Sequence, residues 1–269
     1  MSDMWASLLL AHCLKGSLSS NSAVMTILRH CSNTLKEAHF LSQGRLVVSE
    51  LNMQINLLLF DVSIDSNNLV RSQQALESLF ELSDETKLWE HFEHDIMLRY
   101  AVQQIQNKNT EAALQLLESI FSQKSLESMC NPNVWALSGL YISLIHFGNG
   151  YNNFELARDI LNRISQHYKS REIDRPNYMV MSGLKLLAAL DTIETVRAKG
   201  MILDCIKFFK DSDTSGLLVV SLSEASALYR ATNADEAETM AKTAMGISAL
   251  TKNPFLSEIS KNCLEVLKL

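Results

Sequence analysis

The densest run of groups able to bind metal or move protons is Glu90-His91-Phe92-Glu93-His94-Asp95. His91 and His94 stand three apart, so on a helix they share a face and can offer two imidazoles to one ion. Two ligands do not make a site, and the helical zinc-hydrolase signature spaces its histidines by four. His12-Cys13 and His30-Cys31 supply softer ligands, yet neighbours on a helix point about 100° apart and close poorly on a single ion. The same pairs lack any recognisable nucleophile signature for thiolate catalysis. Neither a GxxxxGK[ST], a GxGxxG nor a GxSxG pattern occurs, and Gly148-Asn149-Gly150 has no lysine and no preceding strand to make a phosphate loop. The expectation is a protein without catalytic residues, cofactor or metal.

Helices must position whatever this chain uses. Nine glycines and three prolines in 269 residues fall far short of the roughly 32 that average usage gives. Sandwiches, barrels and doubly wound sheets need those residues at their turns. Apolar residues recur every three or four positions, as in Ile96, Met97, Tyr100, Ala101 and Ile105, which is helical periodicity. Polar breaks such as Gln106-Asn107-Lys108-Asn109-Thr110 and Arg230-Ala231-Thr232-Asn233 divide the helices into antiparallel pairs.

Charge and cysteine usage narrow the setting. Residues 1–134 hold 9 basic and 15 acidic groups, and 135–269 hold 15 of each. No basic stripe offers itself to a nucleic acid: Arg158, Arg163, Lys169, Arg171 and Arg175 are interrupted by Asp159, Glu172 and Asp174. The start, Met1-Ser2-Asp3-Met4-Trp5, lacks the basic residues of a signal peptide. The run Leu57 to Phe60 is far below the roughly 20 apolar residues that span a bilayer. Five cysteines without CxxC spacing suit a reducing compartment. A soluble protein that binds neither nucleic acid nor membrane directly is expected.

The helices resemble one another. A small residue followed by apolar or small ones at +4 and +7 recurs as Ala75/Leu79/Leu82, Ala113/Leu117/Ile120, Ala157/Leu161/Ile164, Ala198/Ile202/Cys205 and Ala237/Ala241/Ala244, at intervals of 38, 44, 41 and 39. A second small residue lies upstream: Ala101 and Ala225 are 12 before their partners, Gly183 is 15 before and Gly139 is 18 before, while Ala11 and Ala23 repeat the spacing of 12. Two helices joined by a short turn approach closely only where one side chain on each is reduced.

This pattern resembles the tetratricopeptide repeat. The expected fold is all-α, a right-handed superhelix of degenerate tetratricopeptide-like helical hairpins forming one domain over 1–269, about six units. Such an array holds a segment of another protein along its first (A) helices. Repeat positions 2, 12 and 13, as they occur in that class, give Asp95, Gln106, Ser143, Asn177, Tyr229 and Arg230 as polar partner-binding candidates, with Leu140 among the apolar inner positions. Tyr229 is the preferred anchor, because an aromatic ring with a polar tip combines contact area with a hydrogen bond.

The segments Glu93-His94-Asp95-Ile96-Met97-Leu98-Arg99, Thr110-Glu111-Ala112-Ala113-Leu114, Leu137-Ser138-Gly139-Leu140-Tyr141, Ser182-Gly183-Leu184 and Ala244-Met245-Gly246-Ile247-Ser248 follow one another in the chain. In that order they resemble the C-terminal half of the cohesin-loader small subunit, a tetratricopeptide-like chromatid cohesion factor. The resemblance implies a non-catalytic scaffold that grips the N-terminal region of the large HEAT-repeat loader subunit, reaches cohesin indirectly, and supports sister chromatid cohesion. It implies a nuclear, chromatin-associated location, with a cytoplasmic pool also compatible. Degenerate repeats of this kind also occur in scaffold subunits of the anaphase-promoting ubiquitin ligase and in meiotic crossover scaffolds, which stay open as alternatives.

Overall fold

The computed structural model describes residues 2–16, 21–38, 45–65, 68–86, 88–123, 132–147, 153–170, 195–211, 215–251 and 254–267. Among these there are twelve helices and no strand. They are α1 Ser2–Gly16, α2 Asn21–Ala38, α3 Arg45–Asp65, α4 Leu69–Thr86, α5 Trp89–Gln106, α6 Thr110–Phe121, α7 Pro132–Phe147, α8 Phe154–Ser170, α9 Thr195–Asp211, α10 Ser215–Tyr229, α11 Ala234–Thr251 and α12 Pro254–Leu267. The backbone divides into two compact units, Met1–Lys15 with Ser20–Val134, and Gly16–Ser19 with Trp135–Leu269.

In the first unit α3 packs on α2, α4 and α5, and α5 packs on α4 and α6. One core joins the inward sides of the first three helices: Met4, Leu8 and Ala11 of α1, Val24, Leu28, Cys31 and Leu35 of α2, Leu51, Ile55, Leu58 and Val62 of α3. The crossing position on α2 is therefore Val24, which is fully buried, and not the half-buried Ala23 expected from the spacing. Val24, Leu28 and Cys31 are the +0, +4, +7 set of that helix. The stretch Val47–Ile64 of α3 is long and apolar enough to cross a membrane. It differs in that from the sequence expectation; within it Leu51, Met53, Ile55, Leu57, Leu58, Phe60 and Val62 are buried while Val47 is exposed, and α2, α4 and α5 pack on the helix.

Asparagines start four of the second (B) helices, α4, α6, α8 and α11. Asn68, Asn153 and Asn233 each accept, through Oδ1, the backbone N–H three residues on, at 3.2 to 3.3 Å, which satisfies a donor that the first helical turn would leave orphaned. Asn233 also donates through Nδ2 to Glu236 Oε2 at 2.9 Å. The backbone carbonyls of Asn68, Asn109, Asn153 and Asn233 receive the first-turn N–H groups of Ser72, Ala113, Ala157 and Ala237. Those four residues are thus equivalent, and all are fully buried. The small residue at the α4 crossing is accordingly Ser72, followed by Leu76 and Leu79, one turn earlier than Ala75/Leu79/Leu82; Leu82 is only half-buried.

The α5 to α6 turn shows how such a hairpin is closed. Lys108 N–H bonds to Ile105 O at 3.0 Å and Asn109 N–H to Gln104 O at 2.8 Å, the paired bonds of a Schellman stop. That stop needs a left-handed residue, and Lys108 provides it at φ 62°.

In the second unit α10 packs on α9, α11 and α12, and α11 packs on α12. Ala198, Ile202 and Ala225 share one cluster, and Val219, Leu222, Ala244 and Leu256 another. Hydroxyl and thiol groups pin these small-residue crossings. Ser226 Oγ donates to Ala237 O at 2.8 Å, Ser248 and Ser260 share a hydroxyl contact of 2.9 Å, and Cys263 Sγ donates to Ser223 O at 3.2 Å. Helices α7 and α8 run antiparallel: Ser143 near the end of α7 meets Ala157 near the start of α8, while Trp135 near the start of α7 lies against His167 and Arg163.

Candidate functional site

The A helices of the first unit are α1, α3 and α5, and a charged cluster joins α3 and α5. Arg99 of α5 forks onto Asp61 of α3, with Nε to Oδ1 at 3.2 Å and Nη2 to Oδ2 at 2.8 Å. Its Nη1 donates to Asp95 Oδ1 at 3.1 Å and to Asp95 O at 3.2 Å, one turn earlier on the same helix. The guanidinium is nearly enclosed at 13% exposed, and the Asp61 and Asp95 side chains keep 30% and 20% of theirs. His12 of α1 feels the cluster as well. Withdrawal from water lowers its pKa although part of the ring stays exposed; the Asp61 carboxylate pulls the value up and the Arg99 guanidinium pushes it down.

Asp95 thus lies on the A-helix face where the repeat position put it, but it is engaged by Arg99. Gln106 is exposed at the last turn of α5, on the line of Asp95 and Arg99, since eleven residues make close to three full turns. Arg99, Asp61 and His12 were not among the partner-binding candidates read from the sequence. The i, i+4 spacing of Asp95 and Arg99 was a legible signal for one half of the cluster.

Ser143 and Leu140 need correction. Ser143 is fully buried, donating to Gly139 O at 2.8 Å and to Ala157 O at 3.3 Å, so it stitches α7 to α8 and faces no partner. Leu140 is buried too. Both were placed by taking Gly139 as the crossing residue, whereas the hydroxyl that meets Ala157 sits one turn later. Asn177 lies outside the described residues.

At the corner of α9, α10 and α11, Tyr229 is half-buried and Arg230 is exposed. The Lys199 ammonium stands 4.4 Å from the Tyr229 ring centroid and donates to Thr232 Oγ1. Tyr229 O receives the N–H groups of Thr232 and Asn233 at 3.0 and 2.8 Å, closing the hairpin turn. Burial first, and the Glu236 carboxylate second, raise the phenol pKa and keep it protonated. One ring face of the expected anchor is therefore already taken by an internal cation.

Among the described residues no three His, Cys, Asp or Glu side chains gather as a metal site. His91 is exposed and His94 half-buried along α5.

No protein-family model matches the chain, and no curated protein does. Solved structures do. The apo form of RapI matches with a TM-score of 0.60 at 14% identity, over 98% of this chain and 70% of that one. BtubC (BKLC) from P. vanneervenii matches with a TM-score of 0.50 at 11% identity, over 76% of this chain and 89% of that one. At such identities the likeness speaks for fold alone: an all-α array of tetratricopeptide-like helical hairpins.

Proposed function

We propose that this chain is a non-catalytic scaffold whose A-helix face grips an extended segment of a partner protein. The finer reading places it in the cohesin-loading complex, in the nucleus, with the N-terminal region of the large HEAT-repeat subunit as the segment held and cohesin reached only through that subunit. The observation that carries the first statement is the ion-paired cluster of Asp61, Asp95 and Arg99 that joins two A helices, α3 and α5. A polar group set among apolar helices fixes the register and direction of a bound segment, while burial of its apolar side chains provides most of the affinity. The finer reading is supported by the order of the resembling segments.

The test is a titration of the full chain with the recombinant N-terminal region of that large subunit. Asp95→Ala removes one carboxylate of the cluster while Asp61 still holds Arg99, and should weaken binding about tenfold. Tyr229→Ala tests the second unit separately. Undiminished binding by both variants would move the interface off the A helices, and no binding by wild type would remove the cohesin-loading assignment.

A further inference from the structure

We infer that the seam between α4 and α5 is a second docking surface, one that takes an arginine-bearing segment of a partner protein. Three aromatic side chains lie along it. Phe80 of α4 is stacked on Trp89 of α5, with ring centroids 6.2 Å apart and planes at 25°, and it meets Tyr100 edge-on at 5.9 Å and 85°. None of the three is enclosed: Phe80 and Trp89 are half-buried and Tyr100 is 36% exposed. Ser72 Oγ donates to Gln103 Oε1 at 3.2 Å, which sets the start of α4 beside the end of α5. The seam therefore runs on to Leu69, 39% exposed, which shares the row of Phe80 because eleven residues make close to three full turns.

Carboxylates border the rings on both helices. Glu77 and Asp84 stand one turn before and one turn after Phe80, and Glu93 stands one turn after Trp89, with Glu90 next to that ring. Among the described residues none of these four is in an ion pair, and Glu77 accepts the Gln73 amide, a neutral partner, at 2.9 Å. The local charge agrees. Residues 71–100 hold 7 acidic and 3 basic groups, and one of those basic groups, Arg99, is already held by Asp61 and Asp95.

Aromatic rings beside carboxylates select a cation. A guanidinium suits them best, because it stacks flat on a ring while its donors fork onto a carboxylate, and it is more weakly hydrated than an ammonium. Lysine offers only a point charge. A nucleic acid or an anionic membrane is repelled by the same carboxylates, and a second copy of the chain presents the same charge. The seam goes beyond the A-helix cluster: Tyr100 and Arg99, adjacent on α5, point about 100° apart, so the two surfaces are tested with different variants.

The probe is a designed, fluorescein-labelled Arg/Leu peptide, compared with Lys/Leu and Glu/Leu peptides of the same leucine pattern, each titrated by fluorescence anisotropy against the full chain. The expected result is saturable binding of the Arg/Leu peptide, with the Lys/Leu peptide about fivefold weaker and the Glu/Leu peptide not bound. Tyr100→Ala and the double variant Glu90→Gln, Glu93→Gln should each weaken the Arg/Leu peptide about fivefold. The charge-matched control Glu258→Gln, Glu265→Gln, at exposed positions of α12, should leave it unchanged. Thermal unfolding checks that the variants are folded, and the carboxylate double variant carries the test if Tyr100→Ala loosens the contact with Phe80. Equal binding of the Lys/Leu peptide, undiminished binding by the carboxylate double variant, an equal loss in the α12 control, or no binding at all would overturn the proposal. So would sedimentation of wild type as a dimer that Tyr100→Ala abolishes.

Discussion

The hydroxyl of Ser226 donates to the carbonyl of Ala237 across 2.8 Å, with both residues fully buried where α10 crosses α11. A hydroxyl fits there because the neighbouring Ala225 and Ala237 keep the helices close. Ser226→Ala should cost about 1 kcal/mol through the lost hydrogen bond. Ala225→Leu should cost about 1–3 kcal/mol by overpacking. Urea unfolding measures both, and a neutral Ala225→Leu would mean that the crossing is looser than the structure has it.

Arg99 should be the most sensitive charged position in the first unit. Arg99→Leu leaves Asp61 and Asp95 facing each other without their cation, at a cost of about 1–3 kcal/mol. Arg99→Lys keeps the charge but loses the two-pronged contact with Asp61, and should fall between. A double-mutant cycle with Asp61→Asn gives the coupling; none would mean that the pair is only a surface contact.

Acid should loosen the first unit through His12. Its pKa lies below the ordinary value, so within that window the unfolded chain binds more protons than the folded one and stability rises with pH. The contribution is complete above the ordinary histidine value of about 6.5 and is lost as pH falls through the folded value. Urea midpoints at about pH 7.5 and about pH 5.5 should differ more for wild type than for His12→Asn.

The Lys108 position should accept glycine with profit. A non-glycine residue held left-handed costs about 1–2 kcal/mol, and glycine returns about 0.4–1 kcal/mol of that as unfolded-state entropy. Lys108→Gly should therefore stabilise by up to about 1 kcal/mol. A rise in urea midpoint supports this, and a fall contradicts it.

How much was legible follows from particular residues. Helix periodicity and the triads of α6, α8, α9 and α11 were readable because small residues at a crossing leave a spacing that survives divergence, and all twelve side chains are buried. The register of α4 was misread because Ala75 looked like the crossing residue, although Asn68 and Ser72 stand in the four-residue relation seen at Asn109/Ala113, Asn153/Ala157 and Asn233/Ala237. The caps were the better marker, since hydrogen bonding fixes a helix start more tightly than packing fixes the choice among Ser, Ala and Leu. Ser143 and Leu140 were misplaced because the longer connection between α7 and α8 shifts the crossing by a turn. The pairing of Asp61 with Arg99, 38 residues apart, depends on how neighbouring A helices are staggered, which one helix's pattern does not contain.

Which face grips the partner is tested most directly by site-specific photo-cross-linking in the complex with the N-terminal region of the large loader subunit. A benzophenone side chain is placed at Gln106 on the A-helix side, or at Glu81 of α4 or Glu118 of α6 on the B helices; all three positions are exposed, so the substitution is tolerated. Cross-links to the partner from Gln106, with none from Glu81 or Glu118, are the expected result. Cross-links from Glu81 or Glu118 with none from Gln106 would contradict the assignment of the A-helix face.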